Sequence, residues 1–546
     1  MFARIKKSGK NEYLQIVENH REGSRVAQRV IATLGRLDEF KDGIDIQTLA
    51  RSLARFSEKT LMVLSGKSDV DADALSIGPA LVFERLWKEL HVDQVMTHLL
   101  QGRKFGFNVE RAIFMTVLHR LFAPGSDRSC ERWRREYAIS GTEYLSLHHL
   151  YRAMAFLGEE LNDQTERLEF SPRCTKDLVE EHIFSANREL FSGMDLVFFD
   201  TTSLYFEGEG GDIGEYGHSK DSRPDLKQMV VGVVLDDAGR PVCCELWPGN
   251  ITDVKTLIPV SKRIRTRFGV GEFCVVADRG MISSDTVSKL EEMHLPYILG
   301  ARMRRVKKIG EEVLSRPGRY REVPTGEDKE PLKVKEVMLG DERYIVCLNP
   351  VQARKDKIDR DMIIDTLKEK LKQGPKALVG NKGYRKYLDI ESSHVKIDEK
   401  KVAYEERFDG KWVLKTNTDL APEEVALKYK ELWRVEQVFR DMKSVLDTRP
   451  IYHQRDETIR GHVFCSFLAL MLMKELMNRL KKAELVFSWA DIRQDLEALR
   501  EITVSETGKS LAIRTRLPGI SGKILQTLGI APPPTMREVY REDTNL

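Results

Sequence analysis

Two short apolar runs in this chain each end on an aspartate, and that pattern limits the fold more than any other feature. Leu196-Val197-Phe198-Phe199 is closed by Asp200, and Phe273-Cys274-Val275-Val276-Ala277 by Asp278. Continuous apolar runs of this length are those of strands buried on both faces, in the middle of a sheet. An ionised carboxylate at the end of such a strand must be paired, hydrogen-bonded or metal-bound, because burying it alone is costly. A single Asp of this kind is ordinarily a strand-end cap. Two on neighbouring strands point to a shared cation.

The surrounding texture predicts an α/β fold. Gln228 to Leu235 and Pro241 to Trp247 form a hairpin about Asp236-Asp237-Ala238-Gly239. Val254 to Phe268 and Ser283 to Met293 read as helices, and Pro296 to Gly300 as a further strand. This first part of the core spans 191–301. A charged stretch rich in short β-like pieces follows at 302–411 and reads as a β-rich insertion containing one helix, Arg360 to Leu371. Trp412 to Thr416 is expected to re-enter the parent sheet. It opens the second part of the core at 412–482, with long helices over about 421–446 and 457–482. A C-terminal helical tail takes 483–546. Ahead of the core, 1–38 reads as a short β segment with a turn at Arg21 to Ser24, and 39–190 as a helical region for DNA binding or dimerisation.

A chain of 546 residues is long enough for about three to five such parts. Its 88 Lys plus Arg against 85 Asp plus Glu, net +3, exclude a histone-like or wholly basic binder. The average hides local excess, because residues 1–36 and 103–135 each hold eight basic and three acidic residues. In the second stretch Arg132 and Arg134 suit either a DNA backbone or a solvated helix face. The run Arg302-Met303-Arg304-Arg305-Val306-Lys307-Lys308 carries the same two readings. None of the seven cysteines forms a CxxC pair, so a zinc knuckle is not expected and reduced thiols are. The N-terminus has no apolar core of a signal peptide, and the longest apolar run, Val463 to Met473, is too short to span a bilayer. The expectation is a soluble, cytoplasmic, nucleoid-associated protein with no membrane partner.

A third acid stands out on the helix Tyr429 to Lys443. Tyr429, Glu436 and Lys443 are seven residues apart, close to two helical turns, so a continuous helix puts all three on one stripe. Arg440 falls four after Glu436 on nearly the same face. For this helix alone, a solvated face with an i,i+4 salt bridge explains the pattern equally well. Three carboxylates converging on one point, however, are what two hard divalent cations need, Mg²⁺ or Mn²⁺ with oxygen ligands. Such a pair supports in-line phosphoryl displacement. Lys220, Arg434, Arg440 and Lys443 are then the cations placed to hold a phosphodiester backbone.

In motif order the chain resembles the bacterial insertion-sequence transposases of the DDE type, with an RNase H-like core interrupted by a β-rich insertion. The residues that carry the resemblance are Phe198 to Thr202, Gly217 to Asp221, Pro248 to Asp253, Val276 to Gly280, the helix Tyr429 to Lys443, Thr448 to His453 and Arg460 to His462. The family signature on the helix is Tyr, two residues, Arg, three residues, Glu, six residues, Lys. Tyr429, Glu436 and Lys443 fit it, whereas the Arg position is Leu432, with Arg434 two residues on as a substitute for the phosphate contact. The resemblance implies that Asp200, Asp278 and Glu436 are the catalytic, metal-binding triad, and that Tyr429 and Lys443 contact phosphates at transposon ends. It implies an N-terminal region that binds terminal inverted repeats, a double-stranded DNA partner, and a homodimer in the DNA complex. Some relatives hold a flipped base on an insertion-domain Trp, but 302–411 has no Trp. His462 reads as a structural helix-start residue or as an approach to the metal site.

The expected activity is therefore end cleavage followed by joining of 3′-OH ends to target DNA. The alternative is an RNase H-like, metal-dependent nuclease, or a DNA-binding protein, without strand transfer. A catalytically dead descendant predicts loss of a triad carboxylate, and all three are present.

Overall fold

The computed structural model describes residues 2–22, 25–38, 40, 71–165, 167–168, 171–191, 194–324, 330–372, 384, 386–391, 394–506 and 509–539. The expected turn at Gly23-Ser24 and the start of the expected helical region, up to residue 70, lie outside them, apart from residue 40.

The chain divides into two compact units. The first comprises 1–73, 502–513 and 535–546. It contains the antiparallel sheet β1 (Phe2–Ser8), β2 (Asn11–Glu22) and β3 (Arg25–Arg36), the β segment expected at the N-terminus. It also holds most of a second sheet that includes β4 (Asp71–Ser76).

The second unit, 74–501 and 514–534, begins with six helices: α1 (Gly78–Glu89), α2 (Val92–Leu99), α3 (Val109–Phe122), α4 (Asp127–Trp133), α5 (Leu147–Gly158) and α6 (Thr175–Ala186). Asn108 caps α3 by accepting the Arg111 N–H at 3.0 Å, and Ser126 caps α4 through the Ser129 N–H.

Next comes the core: β5 (Leu196–Tyr205), β6 (Gln228–Leu235), β7 (Pro241–Pro248), α7 (Leu257–Arg267), β8 (Cys274–Ala277), α8 (Ser284–Glu292) and β9 (Tyr297–Gly300). In space these strands run β7-β6-β5-β8-β9. The first three are an antiparallel meander, and β8 and β9 are parallel to β5. This is the expected RNase H-like mixed sheet. Nearly every residue of β5 to β9 is buried, which is why these strands read as continuous apolar runs rather than alternating ones.

The insertion contributes β10 (Arg321–Val323), β11 (Leu332–Leu339), β12 (Glu342–Leu348), α9 (Pro350–Lys372), the hairpin β13 (Leu388–Glu391) and β14 (His394–Ile397), and α10 (Glu399–Glu406). Its one long helix starts ten residues before the expected Arg360, and Val395 to Glu405, within the stretch expected to be β-rich, resolves into a strand and a helix. β15 (Lys411–Thr416) does re-enter the sheet, pairing with β9 on one side and β12 on the other. Through it β12, β11 and β10 extend the core to nine strands.

The expected continuous helix over 421–446 is broken. It consists of α11 (Pro422–Lys430), α12 (Trp433–Arg440) and a π-helical turn, Asp441–Val445. Leu432 sits at the break, buried in the core at 6% exposure. α13 (Asp456–Lys482) is buried almost throughout its first half and packs on α3, α5 and β7. Gly461 lets it cross α5 at backbone distance, because a Cβ there would overlap the Met154 carbonyl.

After α14 (Trp489–Glu497) the C-terminal segment departs from the helical tail expected for it. It forms β16 (Arg500–Glu506), β17 (Lys509–Arg514), α15 (Ser521–Thr527) and β18 (Met536–Val539), with the strands ordered β18-β17-β16-β4. Alternation in these short strands is masked by their polar residues, and their partner β4 lies more than 400 residues away.

All seven cysteines are buried and free. Among the described residues, no helix is long and apolar enough to cross a membrane.

Candidate active site

In the register of β5 and β8, Phe199 stands opposite Ala277. Asp200 and Asp278 therefore come next on adjacent parallel strands, as the two apolar runs predicted. Asp200 is half-buried and accepts the Thr201 N–H at 2.7 Å. Burial pushes its carboxyl up to about 7; the charges of Asp278 and Asp253 add to the shift, and Lys220 only partly opposes it.

Tyr429, on α11, donates its hydroxyl to Asp278 Oδ1 at 2.9 Å. Burial, and then the Asp278 charge, push the phenol well up from its ordinary range. Gly300 on β9 makes the approach possible, since a Cβ there would run into the Tyr429 hydroxyl.

A further carboxylate, Asp253, lies near the pair, although the three are not gathered within 4.8 Å. Asp253 Oδ1 accepts from Thr201 Oγ1 at 2.7 Å, and Oδ2 lies 3.2 Å from Lys220 Nζ. The same Oδ2 lies 3.3 Å from where a Cβ on Gly280 would stand, so Asp253 reaches both Asp-bearing strand ends. Asp253 closes the Pro248 to Asp253 motif, but no site role follows from its sequence position, because it sits in a 3₁₀ turn and not at the end of an apolar strand.

Lys220 also donates to the Thr201 carbonyl at 2.7 Å, which fixes its ammonium beside the acids. Lys443 pairs with Asp221 at 3.0 Å.

Glu436 is exposed on α12, whose inner face is Val435, Val438 and Phe439. It makes no hydrogen bond or ion pair among the described residues. α12 packs on β5 and β6, so the element is beside the site, but the three acids of the expected triad are not gathered within 4.8 Å.

The other expected DNA contacts are distributed unevenly. Arg434 donates to the Asp237 carbonyl and pairs with Glu431 at 3.4 Å, which ties it to the β6–β7 turn. Arg440 is exposed, bonded to Gln437 at 3.3 Å. Arg302 donates to the carbonyls of Arg279 and Gly280 at 2.8 and 2.7 Å, bracing the turn after Asp278. Arg304 pairs with Glu405 and lies over the Phe408 ring, while Arg305 is exposed. With His218, Arg279 and Met303 these three arginines line a cavity of about 490 Å³ beside Asp278. On the helical region, Arg132 is exposed and Arg134 is occupied by the Thr142 carbonyl.

His462 lies one and a half turns into α13 and not at its start. It clusters with Asp127 and His453, ligand atoms within 4.8 Å. Arg120 Nη2 is 2.9 Å from its Nδ1, and its Nε2 faces the Thr448 carbonyl at 3.1 Å. Both ring nitrogens of His462 thus face a protein partner. The cluster is a hydrogen-bonded tie between α3, α4 and α13.

A mixed sheet with paired strand-end aspartates and cations around them is the make-up of one broad enzyme class, and the chain belongs to it: it is a DDE transposase, with residues 191–472, just over half of its length, matching the model of the transposase DDE domain. Residues 3–67 match the N-terminal domain of the IS1634 family transposases, which narrows the assignment to a bacterial insertion-sequence transposase. No curated protein matches the chain. Among solved structures it is similar to a piggyBac transposase synaptic complex with hairpin DNA, at 12% identity, with a TM-score of 0.37, over 77% of this chain and 79% of that one.

Proposed function

We propose that this transposase binds the inverted repeats of its element, cleaves at the ends and joins the 3′-OH ends to target DNA, with Asp200, Asp278 and Glu436 as the metal-binding carboxylates. The observation that carries the reading is the placement of Asp200 and Asp278 at the ends of adjacent parallel strands, where burial first, and then the charges of Asp278 and Asp253, push the Asp200 carboxyl up to about 7 against the opposing Lys220. Oxygen-only donors of this kind suit Mg²⁺ or Mn²⁺. When two such ions are bound they supply activation of the attacking hydroxyl and stabilisation of the leaving oxygen.

The chain's own groups do the rest. Tyr429 orients Asp278 through its hydroxyl, and Thr201 and Lys220 hold Asp253. Lys220, Lys443, Arg302, Arg304 and Arg305 are the cations that hold the DNA backbone. Arg132, Arg440 and the basic N-terminal sheet add surface for the flanking duplex, and the DNA complex is a homodimer. Arg434 is committed to the β6–β7 turn and must release it to touch phosphate. Leu432 carries no cation, so Lys220 and Lys443 stand in for the signature Arg.

The test is a strand-transfer assay. Linear DNA carrying the element's inverted repeats, incubated with plasmid target and Mg²⁺, is expected to yield end-joined products. Cleavage without any joined product would reduce the protein to a nuclease.

A second expectation follows from Asp200. In the cation-free protein its carboxyl is half-protonated near pH 7, and cations bind its ionised form. Mg²⁺ binding at about pH 6 should therefore release close to one proton, and at about pH 8.5 almost none. Calorimetry in buffers of different ionisation enthalpy counts these protons, and equal release at both pH values would remove Asp200 from the cation site.

A further inference from the structure

We infer that Asp221 is a positioning residue of this site, a buried carboxylate that clamps two cations, Lys443 and Arg449, where the DNA backbone enters. The inference rests on the reading of the site as DNA-cleaving. A single oxygen, Asp221 Oδ1, faces both partners: Lys443 Nζ donates to it at 3.0 Å, and Arg449 Nε lies 3.2 Å away as an ion pair without hydrogen-bond geometry. The Asp221 side chain is 7% exposed, and its second oxygen, Oδ2, is buried without a hydrogen-bond partner. A half-satisfied buried carboxylate is costly, and such groups are kept where they have work to do.

The cost has a counterpart. Lys443, Arg449 and Lys220 are close enough for each of the others to disfavour the charged form of Lys443, as its burial also does, and Asp221 opposes them. Like charges held this closely repel. Without Asp221 they would splay apart.

The clamp is built on the catalytic strand. The Lys220 N–H donates to Ser203 Oγ on β5 at 2.8 Å, and Ser219 Oγ accepts the N–H groups of Asp221 and Arg223. Arg449 and Arg223 both lie over the ring of Tyr205, the last residue of β5. Asp221 is therefore referenced to the same strand as Asp200. A phosphodiester competes with Asp221 for the two cations, so the carboxylate sets where they stand while weakening their hold on DNA in general.

This gives a split that loss of structure would not produce. Asp221→Asn should bind end DNA, measured without divalent cations, as tightly as wild type or more tightly, and cleave it about 10–100-fold more slowly at saturation. Asp221→Glu should recover part of the rate. In a Lys443→Ala, Arg449→Ala background Asp221→Asn should cost no more than about twofold, because both groups it positions are gone. Equal multiplicative losses in the two backgrounds would overturn the inference, as would weaker binding with a lowered melting temperature. The binding comparison needs no catalysis. If the wild type does not cleave, the reading of the site fails while tighter binding by Asp221→Asn still supports the clamp.

Discussion

Glu436→Gln is expected to abolish divalent-cation-dependent end cleavage, by on the order of 10³-fold or more, while end binding and the melting temperature stay at wild-type values. The second half of that statement comes from the structure. Glu436 is exposed on α12 and bonded to nothing among the described residues, so an isosteric neutral side chain removes no native interaction. Any loss of activity then reports chemistry and not folding. The variant also decides between two candidates for the third acid. Asp253 already touches the groups around Asp200, whereas Glu436 is carried by a neighbouring helix that packs on β5. If Glu436→Gln cleaves at the wild-type rate and Asp253→Asn does not, the triad is Asp200, Asp278 and Asp253, and the signature helix serves only to bring Tyr429 and Lys443. Asp253→Asn alone is expected to slow cleavage without abolishing it, through loss of the anchor for Lys220.

The central sheet was legible because burial on both faces leaves a continuous apolar run, and an Asp at the end of such a run is conspicuous. Register then put Asp200 and Asp278 side by side, as expected. The signature helix was only half legible. Heptad spacing assumes an unbroken helix, and the break at Glu431-Leu432 re-aims its two halves, Tyr429 toward Asp278 and Lys443 toward Asp221. Asp253 and Asp221 close two of the matched motifs, but their roles were not legible because each lies in a loop, where acids are ordinary and only tertiary contacts give them a role. The insertion's strands were readable, but nothing in them announced that β12 would pair with β15 and prolong the parent sheet. Edge pairing depends on which backbone groups remain open, and side-chain pattern carries little of that.

Arg263→Met is expected to lower the melting temperature by about 10 °C, the size of effect that follows when one member of a buried ion network is removed at ~3–5 kcal/mol. Arg263 is fully buried on α7 and bonds three carboxylates: Glu245 on β7, and Glu180 and Asp177 on α6, the last at 3.1 Å. Lys176 completes the group, 2.7 Å from Asp177 and donating to the Cys244 carbonyl at 2.8 Å. Burial pushes the Asp177 carboxyl up, but Lys176 and Arg263 override it and hold it down to about 2; Glu180 stays raised, chiefly by burial. Two cations thus balance three acids, and without Arg263 a lone Lys176 faces all three. The variant should regain stability as the pH falls, because protonation of Glu180 in the folded state removes a buried charge and the folded protein then binds more protons than the unfolded one. Wild type, whose Glu180 is raised while Asp177 is held low, should show a smaller gain. The network joins α6, β7 and α7, and these bonds go to none of the groups proposed to touch DNA. Cleavage at a permissive temperature is therefore expected to survive. A melting temperature within about 2 °C of wild type, where ~3–5 kcal/mol was expected, would mean that water or neighbouring side chains neutralise the three acids without Arg263. A normal melting temperature with cleavage lost would instead connect this network to the active site.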